Sequence, residues 1–394
     1  MHKKSPEIRF KGFTDDWEQR KLGELASFSK GAGYTKGDLK TTGGKPIILY
    51  GRLYTKYETV IENVDTFVDE KEKSVISAGN EIIVPASGET SEDISRASVV
   101  AKPGIILGGD LNIVKPNTEI DPSFLALTIS NGRQQKELSK KAQGKSVVHL
   151  HNSDLKEVTL VYPKKEEQTR IGNFFKNLDN TIALHQRKLT LLEQLKQSYL
   201  QLMCPQNKGN IPALRFAGFS EPWEQRKIRE LFTVTRGQVL AATKTKDKET
   251  NNFIYPVYSS QTKNNGLMGF YDQYLFENAI TWTTDGANAG TVNFRKGKFY
   301  STNVNGVLLS DKGFANKAIS EIINKIAWKH VSKVGNPKLM NNVMSEITVT
   351  IPFVEEQNKL SLLFEQLDDT IDLHKCMLDK LLELKLVFLR KMFL

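Results

Sequence analysis

Five sets of residues in this chain are of types that could do chemistry. Gly37 to Lys45 has the length of a phosphate-cradling loop, but Leu39 stands where the first glycine of G-x-x-x-x-G-K would fall, and Pro46 replaces the Ser or Thr that would meet Mg²⁺. It reads as a turn. Gly31-Ala32-Gly33 lacks the third glycine and the strand-to-helix context of a dinucleotide site. Asp65 with Asp69-Glu70-Lys71 has the makings of a metal-dependent nuclease centre, yet solvated surface charge explains it more simply. His149 and His151 could ligate a metal from one strand, but no third ligand is in view. Cys204 and Cys376 are too few for a disulfide framework or a Cys-rich metal site, which favours a reducing compartment. No catalytic residue and no metal site is assigned.

What remains is hydrogen bonding without bond breaking. Val84 to Ser91 and Thr283 to Thr291 each follow a strand-like run and are rich in small and polar residues. Small residues let a backbone approach a partner, and Ser87, Gly88, Thr90, Ser91, Asp285 and Asn288 supply groups that could read base edges. A tight interstrand turn is the plain alternative. Basic residues flank the variable bodies of both halves: Arg96, Arg133, Lys136 and Lys140 in the first, Arg236, Lys244, Lys263, Arg295 and Lys296 in the second. Such residues suit phosphate contacts, which fix register without reading sequence, although a charge run is commonly just solvated surface. The formal charge of +10 and pI near 9.2 favour an acidic partner such as nucleic acid or an anionic membrane.

The elements that must hold these loops occur twice. Pro6 to Leu25 returns as Pro212 to Leu231, displaced by 206 positions with 12 of 20 residues identical. Leu178 to His185 returns as Leu367 to His374, displaced by 189, and the match continues through Leu189/Leu378, Leu192/Leu381, Leu195/Leu384 and Lys196/Lys385. The material between the repeats is therefore 17 residues shorter in the second half. The ends repeat while the middles differ, which defines two tandem units.

Leu178, Ile182, His185, Leu189 and Leu192 step by three or four, the spacing of one helix face, and Leu367, Ile371, His374, Leu378 and Leu381 repeat it. Each stripe needs a partner, and the other copy is at hand, so the two long helices are expected to pair, taken here as antiparallel. A break near Asn177 and Gln366 would let Asp179 and Asp368 act as helix caps; a continuous helix is the alternative. About 26 residues would span roughly 39 Å, close to the 34 to 36 Å of roughly one turn of B-DNA.

The bodies read as mixed helix and strand. Strand-like runs occur at Lys45 to Tyr50, Asn80 to Pro85, Leu111 to Val114, Ala279 to Thr283, Thr291 to Phe294 and Gly306 to Leu309. Helical stretches fall at Pro122 to Ser130, Gly132 to Lys141 and Ala315 to Val331. The expected division is 1–177, 178–205, a linker at 206–211, 212–366 and 367–394. With 39% hydrophobic and 25% charged residues the chain is an ordinary globular protein. It shows no secretory signal and no apolar run long enough for a membrane span, so cytoplasm is expected.

The opening segment with Phe10-Lys11-Gly12-Phe13 and Trp17, the Pro163 to Gln168 and Pro352 to Gln357 junctions, and the twin Leu-Asp-x-x-Ile helices together resemble the specificity subunit of type I restriction-modification enzymes. Gly108-Gly109-Asp110-Leu111-Asn112 and Asp285 to Gly290 are similar to segments of that family's target-recognition domains. The resemblance implies an α+β fold with two target-recognition domains in tandem, each followed by a long helix, the helices pairing as an antiparallel coiled coil. It implies double-stranded DNA as a partner, each domain reading one part of a split, asymmetric sequence. It also implies methyltransferase subunits docked along the helices and translocase-nuclease subunits joining them, with S-adenosylmethionine, ATP and Mg belonging to those partners. Two rival readings are a DNA enzyme with an unrecognised centre using Asp65 and Asp69, and a structural coiled-coil adaptor without DNA affinity.

Overall fold

In the computed structural model of this chain, residues 5–91, 93–142, 147–205, 209–260 and 263–393 are described, Lys263 by its backbone alone. The chain forms two compact units: residues 1–186 with 376–394, and residues 187–375.

The first unit is built on a five-stranded sheet of β1 (Ala26–Lys30), β2 (Val60–Ile61), β3 (Glu81–Pro85), β4 (Ser98–Val100) and β5 (Leu111–Pro116), in the order β1-β5-β3-β4-β2. β3 is buried throughout, as a central strand of β-branched residues requires. Helix α1 (Pro122–Ser130) covers it. Pro122 opens that helix, and the Asp121 carboxylate accepts hydrogen bonds from the Ser123 and Phe124 amides at 3.0 and 3.1 Å.

The unit ends in α2 (Lys165–Leu202), whose first part belongs here and whose remainder belongs to the second unit. Its core gathers Leu22, Phe124, Ile171 and Phe175 with Met392 and Phe393 from the far end of the sequence. The Ile8 amide bonds to the Lys391 carbonyl at 3.0 Å.

The second unit has a six-stranded sheet: β6 (Thr233–Arg236), β7 (Tyr255–Tyr258), β8 (Leu267–Tyr271), β9 (Phe276–Thr283), β10 (Val292–Ser301) and β11 (Asn305–Leu309), in the order β6-β11-β9-β10-β7-β8. Helix α3 (Lys317–Ala327) covers it, capped by the Asn316 side chain, which accepts from the Ile319 amide. Helix α4 (Val354–Met392) follows. Here Met203 and Cys204, just beyond α2, join Trp223, Trp282, Leu339 and Phe364 in the core.

Both long helices begin well before the expected break and run through it, so Asp179 and Asp368 lie in mid-helix and cap nothing. The reason lies at the true start. After Pro163 and Pro352, Glu167 and Glu356 occupy the first turn and are buried, each held by two bonds from an arginine of the opening segment. Arg9 Nε and Nη2 reach Glu167 at 2.9 and 2.7 Å, and Arg215 reaches Glu356 at 3.0 and 2.7 Å. The adjacent glutamines are buried too, Gln168 and Gln357 donating to the Pro163 and Pro352 carbonyls. Proline, buried acid and buried amide make a fixed origin for each helix, and nothing downstream interrupts it.

The helices pair antiparallel within each unit. In the first, Phe174 packs on Phe388 and Asp179 meets Lys385. In the second, Glu193 meets Lys375 and Lys196 meets Asp368. Leu178, Ile182, Leu367, Ile371 and His374 are buried along the seam, while His185, Leu189, Leu192, Leu378 and Leu381 are half-buried.

Candidate nucleic-acid interface

The two loops singled out by composition occupy equivalent places in the two sheets, which only the hydrogen bonding reveals. At the end of β3 the Ala86 amide donates to the Asp110 carbonyl, and the Ala86 carbonyl accepts from the Leu150 amide. At the end of β9 the Thr284 amide donates to the Val304 carbonyl, and the Thr284 carbonyl accepts from the Leu339 amide. Ala86 thus corresponds to Thr284, and Leu150 to Leu339.

A second segment therefore packs beside each loop. In the first unit Val148–His149 pairs with Ser87–Gly88. In the second, Lys338 bridges to Asp285, and Ser332 and Lys338 close a hairpin by two backbone hydrogen bonds. Val334, near its tip, is 91% exposed, and Lys333, Lys338 and Trp328 are exposed around it. Sequence reasoning missed this hairpin. Its signal was there: Leu339 follows Leu150 by the same 189 positions as the long helices.

The carbonyl of that leucine is satisfied differently in each unit. Asn112 Nδ2 donates to the Leu150 carbonyl at 2.8 Å, whereas Trp282 Nε1 donates to the Leu339 carbonyl at 2.9 Å. Gly306 makes room for the indole: a Cβ there would lie 2.1 Å from the Trp282 ring. The frame is shared while the side chains filling it differ.

Among the other nominated residues of the first unit, Ser87 and Gly88 are buried in the short strand. Thr90 is exposed and donates to Asp93 at 2.7 Å, Arg96 pairs with the same carboxylate at 2.7 Å, and Ser91 is half-buried. Arg133, Lys136 and Lys140 line one exposed face of the helix Gly132–Lys141, opposite buried Gln134 and Leu138.

In the second unit Arg236 donates to Thr284 Oγ1 at 3.3 Å and lies 3.8 Å from Asp285, which Lys338 approaches equally. Asn288 is half-buried and Lys244 exposed, and the side chain of Lys263 falls outside the described residues. Lys296 is 76% exposed and pairs with Glu365. Arg295 departs from expectation. β10 runs on past Phe294 to Ser301, and its pairing with β9 shifts at Asn278, which takes a left-handed φ of 45°. Before that shift, strand alternation places Arg295 on the face of Asn293 and Thr281, opposite Val292 and Phe294, where it is buried rather than a surface cation.

The carboxylates that could serve catalysis are otherwise engaged. Asp65 is held by Arg52 at 2.7 Å and Lys56 at 2.9 Å, and the Lys56 hydrogen bond, the largest influence, lowers its carboxyl to about 2. Asp69 pairs with Lys40. Among the described residues no group of three or more His, Cys, Asp or Glu could hold a metal. Burial pushes the Cys204 thiol up to about 11, the opposite of an activated cysteine. No helix of the described residues is long and apolar enough to cross a membrane.

Two units with one shared frame, each presenting a polar strand-end loop and tied to paired helices, define a duplicated binding protein. The chain belongs to the type I restriction-modification DNA specificity family, whose domain profile matches residues 14–194 and 220–383, and it carries two of the family's recognition domains. It is 30% identical over 218 residues to a Mycoplasma pneumoniae protein assigned as a type I specificity subunit, spanning 55% of this chain and 77% of that one. It is 32% identical over 158 residues to the specificity subunit of the type I restriction enzyme MpnII of the same organism, spanning 39% of this chain and 46% of that one. Its fold is similar to the crystal structure of a type I S subunit from M. genitalium, with a TM-score of 0.71 over 99% of both chains at 16% identity.

Proposed function

We propose that this chain is the noncatalytic DNA-reading subunit of its complex, each unit reading one part of a bipartite, asymmetric duplex sequence. The carrying observation is the pair of equivalent loops, at Ala86 and Thr284, set in one hydrogen-bonded frame by different side chains. A frame held constant while its surface varies is what two readers of different half-sequences need. Ser87 to Ser91 and the Arg133, Lys136, Lys140 face serve the first unit, and Asp285, Asn288, Arg236 and the Lys333 to Lys338 hairpin serve the second. Cations position the duplex and polar loop atoms read base edges.

The paired helices set the gap between the half-sequences and dock the methyltransferase subunits. Leu184 and Leu373 occupy matching positions of the repeat and are 66% and 55% exposed; Leu195 and Leu384, also matching, are 41% and 46% exposed. Leucines left in water at repeated positions suit a partner helix face. Translocase-nuclease subunits join the same assembly. S-adenosylmethionine, ATP and Mg belong to those partners.

The test exchanges residues 27–155 for the matching segment of another family member and maps methylation across the genome of cells carrying the complex. One half of the methylated sequence should change, with the other half and the gap intact. If both halves and the gap change together, or no sequence is methylated through this subunit, the assignment fails.

A further inference from the structure

Four arginines are held with little solvent contact, and three of them are neutralised. Arg9 has Glu167, Arg215 has Glu356, and Arg52 has both Glu58 and Asp65. Arg295 is 7% exposed, and among the described residues no carboxylate meets it. Its guanidinium lies 3.7 Å from the centre of the Tyr258 ring. Nε donates to Thr281 Oγ1 at 3.1 Å and Nη2 to the Asn265 carbonyl at 2.8 Å, both of them neutral acceptors. A buried charge without an opposite charge is costly, so such a group persists where a counter-charge arrives with a ligand.

The site is built for that arrival. Arg295 opens on a cavity of about 140 Å³, lined also by Ser259, Ser260, Thr283, Asn288 and Thr291. Among the described residues no acidic side chain lines it. Ser259 Oγ already accepts from Thr302 at 3.0 Å and so keeps its own proton to give. Asn288 adds an amide donor, and Thr283 and Asn288 belong to the strand-end loop described above. Burial pulls the Arg295 guanidinium down to about 10, still charged at neutral pH.

The first unit places an apolar residue at the matching position. Arg295 stands opposite Ala279 in its ladder, and the corresponding position, opposite Glu81, is Val100. A charge introduced at a ladder position that is apolar in the sister sheet is not required by the fold.

We propose that the Arg295 cavity is an anion site for a phosphate group, and that in the working complex its occupant is one backbone phosphate of the duplex bound by the second unit. The proposal rests on the DNA-reading assignment. The Arg295 guanidinium and the Ser259 hydroxyl would both donate to the phosphate oxygens, and the phosphate would supply the negative charge that no carboxylate of the described residues provides.

The experiment uses the full chain in complex with its methyltransferase subunit and a duplex of the methylated sequence. Single uncharged methylphosphonate linkages are placed along the half that the second unit reads. In the wild type one linkage should cost about tenfold or more in affinity, the loss expected of a charge-assisted hydrogen bond. R295M should lose a similar factor on the unmodified duplex, show a salt dependence shallower by about one, and be indifferent at that one linkage. R295K, which keeps the charge, should recover part of the penalty. If R295M weakens every substituted duplex by the same factor, Arg295 is structural and the proposal is overturned. If inorganic phosphate raises the melting temperature of the wild type but not of R295M, and no linkage responds, the occupant is a free anion and the DNA assignment of the site is overturned. A wild-type complex that binds all sequences equally would instead defeat the DNA-reading assignment itself.

Discussion

Lys196 Nζ lies 2.7 Å from Asp368 Oδ1, and the residues that match them in the other repeat, Lys385 and Asp179, pair in the first unit. Each repeat gives its lysine to the other's aspartate, so one sequence written twice fixes an antiparallel register. Reversing one charge should therefore be harmful and reversing both harmless. D179K is expected to lower stability by about 1 kcal/mol, the scale of a partly exposed pair, and D179K/K385D to restore it. Thermal unfolding of the three chains checks this, and an additive double variant would show that the pair contributes no register.

The second unit extends its pair into a ring. Lys196 and Lys317 each contact both Glu321 and Asp368. Asp368 is half-buried, and against that burial Lys317 and Lys196 hold its carboxyl below the ordinary value. Its contribution is present above roughly pH 4 and is lost as pH falls through the lowered value. Lys317 is raised by Glu321 and Asp368 despite desolvation. Its contribution is complete below roughly pH 10 and is lost as pH rises through the raised value. Stability in urea should hold level across neutral pH and fall at both extremes. K317M is expected to cost about 2 kcal/mol at pH 7 by leaving Lys196 alone to neutralise the buried Glu321 and the half-buried Asp368, and to flatten the alkaline fall. An unchanged alkaline limb would show that Lys317 is not its source.

The Arg215–Glu356 pair fixes the start of α4, and Trp223 Nε1 also donates to Glu356 at 3.1 Å. R215M leaves the carboxylate buried with the indole alone. A loss of about 3 kcal/mol is expected, read by urea unfolding. R215M/E356M should recover much of it, because replacing both partners avoids the stranded charge. If the double variant is as weak as the single, geometry rather than charge is what the pair supplies.

The two solutions for the Leu150 and Leu339 carbonyls give a further expectation. G306A drives a methyl group into the Trp282 ring and should cost about 1 to 3 kcal/mol. N112A leaves the buried Leu150 carbonyl unpaired and should cost about as much. Transplanting the second unit's answer as V84W/N112G should be better tolerated than V84W alone. Melting temperatures decide it, and a double variant no better than V84W would mean the frames are less alike than their hydrogen bonds indicate.

Much of this architecture was legible because it is written twice. Displacements of 206 and 189 located the repeated ends, and the step of three and four at Leu178, Ile182, Leu367 and Ile371 marked residues that the structure buries. Short runs of β-branched residues located strands within a few positions, as Glu81–Pro85 and Leu111–Pro116 illustrate. What a chain does across space was not legible. Arg295 sits in the string Arg-Lys-Gly-Lys, which reads as a solvated charge run, and its burial comes from Thr281, Tyr258 and Asn265, brought around it from other parts of the chain. The equivalence of Ala86 with Thr284 rests on backbone bonds to segments 20 to 64 residues away, which leave no local trace. The length of α2 was underread because Asp179 has the residue type of a cap but is engaged by Lys385 instead.

Phe393 lies 5.8 Å from Phe175 and 6.0 Å from Phe124, in the middle of the first unit's core. During synthesis that unit cannot be finished when its own sheet has emerged. It must wait, with Phe124 and Phe175 uncovered, until some two hundred further residues have been made and the end of α4 returns to it. The second unit, lying within residues 187–375, meets no such delay. The unit made first is thus completed last. The interval is when this chain is most exposed to aggregation and most open to a chaperone, and long-range closure of this kind folds slowly.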